Sequence, residues 1–150
     1  MTRTTLPVPS GNMRAIVSDQ SADFGAQPIG TGPEFTVIAA LELPPGNWVA
    51  FATVALAANG APGTSSVQAV FLLGGEIYSP AVQSDFVISD TFEGFRVIPL
   101  TTGLAVHTRQ ILQVGCRASH PDAILSQPTT ITAIQVDSVT RIQDQAPGFP

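Results

Sequence analysis

The stretch Leu41-Glu42-Leu43-Pro44-Pro45-Gly46-Asn47-Trp48-Val49-Ala50-Phe51-Ala52-Thr53-Val54-Ala55-Leu56-Ala57 decides the fold. Its centre, Pro44-Pro45-Gly46-Asn47, cannot continue a strand: two prolines remove two ladder donors, and Gly46 permits a positive φ. From Trp48 onward the chain has period two. Successive side chains of a strand point to opposite sides, so Trp48, Ala50, Ala52, Val54 and Leu56 share one face, and Val49, Phe51, Thr53 and Ala55 share the other. A strand with one solvated face alternates apolar with polar. Here both faces are apolar and neither carries a charge. One face belongs in a sandwich core. The other is covered by a neighbouring subunit or by a loop of the same chain, or it presents small residues to water. Trp48, Val49, Phe51 and Thr53 are the candidate subunit-interface residues.

The same rhythm extends outward from this stretch. Thirteen Pro and thirteen Gly punctuate the chain, and between them lie short runs of Val, Ile, Phe, Thr and Ala, the pattern of a sandwich or barrel. The strand candidates are Met13–Ser18, Glu34–Glu42, Trp48–Ala57, Ser66–Leu73, Asp85–Ser89, Gly94–Thr101, Arg109–Ala118 and Thr130–Arg141. Eight is the strand number of a jelly roll, and no long helical period is present. The expected fold is all-β: a two-sheet antiparallel jelly-roll sandwich of about eight strands with little or no helix. It spans residues 13–142, behind an N-terminal arm (1–12) and ahead of a C-terminal tail (143–150). Gly74-Gly75 marks a turn, Asn59-Gly60 opens a longer loop, and Gln20–Pro33 reads as a long exposed connection. In Arg109–Ala118, Leu112, Val114 and Cys116 oppose Ile111, Gln113, Gly115 and Arg117. In the closing strand, Ile134 and Val136 are the expected core residues.

Composition narrows the function. The chain has 150 residues, 44% apolar and only 11% charged, against a usual charged share of about 25%. Such a chain hides surface against copies of itself or inside a larger assembly, as interface cores are likewise poor in charge; a neutral monomer coated in Ser, Thr and Gln is the alternative. The net charge is −5, and the six Arg are scattered singly with no Lys. No basic stripe marks a nucleic-acid or anionic-membrane partner. The N-terminus lacks the apolar core of a signal peptide, so synthesis in a host cytoplasm is expected. Cys116 is the single cysteine and has no intrachain partner for a disulfide.

The search for chemistry finds no convergent set. His107 and His120 lie apart beside expected loops, without the ligand spacing of a zinc site. Cys116 would need one of them as base, but its place beside Leu112 and Val114 reads as a small buried hydrophobe. Asp85, Asp90 and Glu93 come closest to a cluster of hard oxygen ligands, in no known calcium-loop spacing. No catalytic residue, cofactor or metal is therefore expected. Most aromatics lie in strand candidates, where core packing is the default. Tyr78, Phe92 and Phe149 lie near loops or the tail and are the candidate exposed contacts.

Three segments carry a resemblance: Leu41–Val54, Gln110-Ile111-Leu112-Gln113-Val114-Gly115-Cys116, and Ile131-Thr132-Ala133-Ile134-Gln135-Val136-Asp137-Ser138-Val139. In order and spacing they resemble the C1q/TNF-like jelly-roll superfamily, as found in small bacterial and bacteriophage structural proteins. The resemblance spans roughly residues 34–141 and its motifs are structural. It implies a two-sheet jelly roll, threefold self-association through strand faces, and no catalytic residue. Relatives of this look often carry a second cysteine near Val67–Leu73, which this chain lacks. The implied function is a virion structural protein, a trimeric capsid decoration or stabilisation protein on the outer surface of a tailed phage. Its partners would be itself and the major capsid or another virion protein, with Arg3, Leu6 and Val8 on a docking arm. The alternative is a carbohydrate- or receptor-binding head module on a phage tail or bacterial surface.

Overall fold

A computed structural model describes residues 14–17, 27–58, 63–88, 95–119, 124–126 and 128–140. Its elements are β1 (Ala15–Val17), β2 (Gln27–Pro28), β3 (Thr36–Leu43), β4 (Gly46–Ala58), β5 (Gly63–Leu73), β6 (Glu76–Ile77), β7 (Val82–Ile88), β8 (Phe95–Val106), β9 (Gln110–Ala118), β10 (Ile124–Ser126) and β11 (Ile131–Val136). No helix occurs among the described residues. One sheet has the order β1-β11-β4-β10-β2, with β8 on the other side of β4. The second has the order β3-β9-β5-β6, with β7 also on β5. All pairings are antiparallel.

Apart from β7, which follows β5 in the same sheet, the main strands alternate between the sheets along the chain: β3, β5 and β9 in one, β4, β8 and β11 in the other. This crossing back and forth makes the jelly-roll sandwich that the strand count implied. All eight expected strands are present in whole or part. The short β2, β6 and β10 carry too few residues to show a period. The segment read as a long exposed connection needs correction: Gln27–Pro28 pairs with β10, and Ile29 is a core residue. The arm, the tail and the Asn59-Gly60 turn lie outside the described residues.

The core lies between the sheets. Trp48, Ala50, Ala52, Val54 and Leu56 of β4 face Leu112, Val114 and Cys116 of β9 and Val67, Ala69 and Phe71 of β5, all fully or almost fully buried. Trp48 is its largest side chain, and its indole Nε1 donates to Pro44 O at 3.0 Å. The turn that precedes the strand thus satisfies the one polar atom of its first core residue. The closing strand needs a second correction. Ile131 pairs with Ala52 and Ala133 with Ala50, and antiparallel partners share a face. Ile131 and Ala133 are therefore the buried pair, while Ile134 and Val136 fall on the outer face, half-buried.

Gly74 and Gly75, with φ of 61° and 85°, join Leu73 to Glu76 in a two-residue hairpin. Two consecutive positive φ values define a type I′ turn, for which glycine is suited. Gly115 has a different reason. Its added Cβ would stand 2.8 Å from Phe35 Cβ and 2.9 Å from Leu72 Cδ1. Phe35 therefore lies on the outer face of the second sheet over Gly115, with Leu72 and Val70 buried beside it, apart from the main core. Gly115→Ala is expected to lower stability by about 1–3 kcal/mol through overpacking, measured as a shift in urea midpoint. An unchanged midpoint would mean that Phe35 does not rest there.

Candidate functional site

Burying one face of β4 forces the other outward. Val49, Phe51, Thr53 and Ala55 all stand on the outer side of their sheet, Phe51 at 43% exposure. The neighbouring strands continue the same surface. Thr132 lies across from Phe51 on β11 and Thr101 across from it on β8; Val17 of β1 extends the row. The next row is Ala15, Ile134, Val49 and Gly103. Pro99 and Val97 face Thr53 and Ala55. None of these positions carries a charge, and Val17 and Val97 are about half exposed. Strand rise and spacing put the footprint of these uncharged positions at roughly 400 Å². A hollow of about 380 Å³ indents it, lined by Phe51, Thr53, Ala55, Pro128, Thr130 and Thr132.

The chain covers one end of this face itself. Asn47 Nδ2 donates to Asp137 O at 2.9 Å, holding the segment after β11 against β4. Val139 then sits over Gly103, its Cγ1 2.7 Å from where a Cβ would stand. Gly103 is the gap in the sheet that admits Val139. Beyond this cap, Phe51, Thr53 and Val97 remain open.

The structure separates the four candidate interface residues. Val49, Phe51 and Thr53 lie on the open face. Trp48 does not: it is fully buried in its own chain's core, because the strand pleat turns it the opposite way from Val49. Tyr78 also needs correction. It is half-buried against the core, and its hydroxyl donates to Gly103 O at 3.2 Å, bridging the two sheets. Phe92, Phe149, Arg3, Leu6 and Val8 lie outside the described residues. Sequence reading missed Ile134, Val97 and Pro99 as members of the face; only the register places them there.

Cys116 is buried among Leu112, Val114 and Ala69 in the core. Burial pushes its thiol up from 9.0 to about 12, so it stays protonated and a poor nucleophile at neutral pH. His107 is exposed. Among the described residues, no three His, Cys, Asp or Glu gather to hold a metal.

No family model and no curated protein sequence matches the chain. Solved structures do. The TNF protein Eiger from S. frugiperda superimposes with a TM-score of 0.50 at 10% identity, over 88% of this chain and 98% of that one. Dimeric latent PorU from Porphyromonas gingivalis gives 0.45 at 12% identity, over 90% of this chain but 14% of that one. The likeness to Eiger is one of fold: the chain is a TNF-like jelly roll.

Between pH 9 and 12 the unfolded chain releases the Cys116 proton while the native chain keeps it. Its contribution is thus intact below pH 9, and above that stability falls by about 1.4 kcal/mol per pH unit. Urea midpoints from pH 7 to 10.5 will show this slope, and Cys116→Ala, less stable at pH 7, will lack it. Equal slopes in the two proteins would place the thiol in water.

Proposed function

We propose that this TNF-like jelly roll is a non-enzymatic building block that assembles into a homotrimer. In this reading it decorates the outer surface of a tailed-phage particle by docking on the major capsid or another virion protein. The observation that carries self-association is the uncharged outer face around Phe51, in a chain with only 11% charged residues. Exposing such a face to water costs about 25 cal/mol for every Å² that a partner would cover, and a second copy of the chain covers it without desolvating a charge.

A closed ring buries about twice as much surface per subunit as a face-to-face pair through a patch of this size. A stable interface takes about 800 Å² from each partner, and the face supplies roughly half of that. In a closed ring each subunit meets two neighbours, one through this face and one through a different patch. The number three and the phage setting come from the sequence resemblance rather than from the face. Repeated docking of a trimer would then give avidity from weak single contacts.

Light scattering at micromolar concentration tests the proposal. The expected mass is three times the 15.6 kDa of the chain. Phe51→Lys is expected to bring it to one chain mass with the β-sheet circular dichroism retained. A monodisperse wild-type monomer overturns self-association. Failure of the trimer to co-sediment with phage capsids that lack it overturns the decoration role alone.

A further inference from the structure

The outer side of the β3-β9-β5-β6 sheet carries a second patch, away from the Phe51 face. Its membership follows from register. Gln113 pairs with Leu72 and Leu72 with Ile77, and antiparallel partners share a face. Ala40 lies across from Gln113, and Glu42 across from Ile111. Ile77 and Ile111 stand 62% and 50% exposed, while Leu72 in the floor is buried. Glu76 alternates with Ile77 along β6 and so has the opposite parity.

Beside Ile111 the surface dips. A hollow of about 410 Å³ is lined by Gly74, Gly75, Arg109, Gln110, Ile111 and Gln113. The glycines of the turn leave it open: a Cβ on Gly75 would meet nothing within 4 Å. A protruding isoleucine thus stands next to a hollow that admits one. The rim carries one charge of each sign. Arg109 NH1 donates to Glu42 Oε1 at 3.0 Å, and both side chains are more than half exposed.

Such a surface fits itself. About a twofold axis, a residue of one copy meets a second residue of the other, and the reverse contact forms at the same time. Ile111 of each copy then enters the hollow of the other, and Arg109 of each faces Glu42 of the other. The whole chain carries a net charge of −5, but these two rim charges cancel, so copies approach here without like charges opposed. An exposed ion pair within one chain contributes little, so sharing it with a second copy sacrifices almost nothing.

We infer that this patch is a twofold contact between two copies of the chain, separate from the contact through the Phe51 face. By strand rise and spacing it covers roughly 250 Å², about a third of the 800 Å² that each partner gives a stable pair. A single contact therefore holds only at high concentration. Where the chain is a trimer, three such contacts per particle join trimers to one another, and weak contacts repeated on a crowded surface add up.

Sedimentation of the full-length Phe51→Lys protein from micromolar to millimolar concentration tests the inference apart from the proposed trimer. Its mass is expected to double over that range, from whatever assembly it starts as. Glu42→Arg or Arg109→Glu, added singly, opposes like charges across the axis and is expected to weaken the doubling by about tenfold or more. An equimolar mixture of the two single-swap proteins is expected to pair again, because each then offers the charge the other lacks. Ile111→Ser is expected to weaken pairing with the circular dichroism retained. No doubling at millimolar concentration, doubling unaffected by the single swaps, or a mixture that pairs no better than its components would each overturn the contact and leave the patch to a different partner. A wild-type chain that fails to form trimers at micromolar concentration bears only on the Phe51 face.

Discussion

The pleat of β4 is the constraint on which the rest of the molecule depends. The strand is paired along most of its length with β8 on one side and with β11 and then β10 on the other. A slip of one residue in either register would move its whole apolar set to the opposite face. Trp48 holds the register from its N-terminal end. It is too large to fit anywhere but the core, and its indole nitrogen is satisfied there by Pro44 O. With Trp48 inward, Val49, Phe51 and Thr53 have no choice but to face out. The apolar outer surface is thus a consequence of the same alternation that makes the core, combined with a sequence that places apolar residues at both parities.

The two sheets treat their outer faces differently. On the β3-β9-β5 sheet the chain supplies its own cover. Phe35 lies over Gly115, Arg117 stacks on Phe35, and Val70 and Leu72 are buried although they point away from the core. On the β1-β11-β4-β8 sheet the cover is partial: Val139 fills the gap at Gly103 and the surface beyond it stays open. In each case a glycine in the strand is what lets another side chain lie flat on the sheet. The result is a module whose second sheet is covered by its own chain around Phe35, with Ile77 and Ile111 exposed beyond that cover, and whose first sheet is covered only at the Val139 end. The likeness to Eiger fits this architecture at the level of fold.

The period-two pattern was legible in the sequence because it is local. A residue's parity within a strand, and the proline and glycine pairs that end strands, depend on neighbours a few positions away. All eight main strands, the Gly74-Gly75 turn and the core face of Arg109–Ala118 were readable on that basis, as was the double apolarity of β4. Parity alone does not say which face turns inward. For β11 both faces are mixed, and the choice of Ile131 and Ala133 over Ile134 and Val136 is made by pairing with Ala52 and Ala50, some eighty residues earlier in the chain. Trp48 shows the same limit from the other side: its strand was right, but its bulk assigns it to the core.

By itself, then, the sequence determined the all-β class, the place of each main strand though not the ends of β8 and β11, which fall five residues from where they were expected, and the shortage of charge. Tertiary structure alone decided how the faces are allotted and which residues meet. Tyr78 reaches Gly103, Val139 reaches the same glycine from the far side, and Arg117 meets Gln68, Pro33 and Phe35 from three separate segments. None of these contacts has a local signature. Each arises only when long-range strand register brings distant residues to one place, and register is set by the packing of the sandwich as a whole rather than by any stretch of chain.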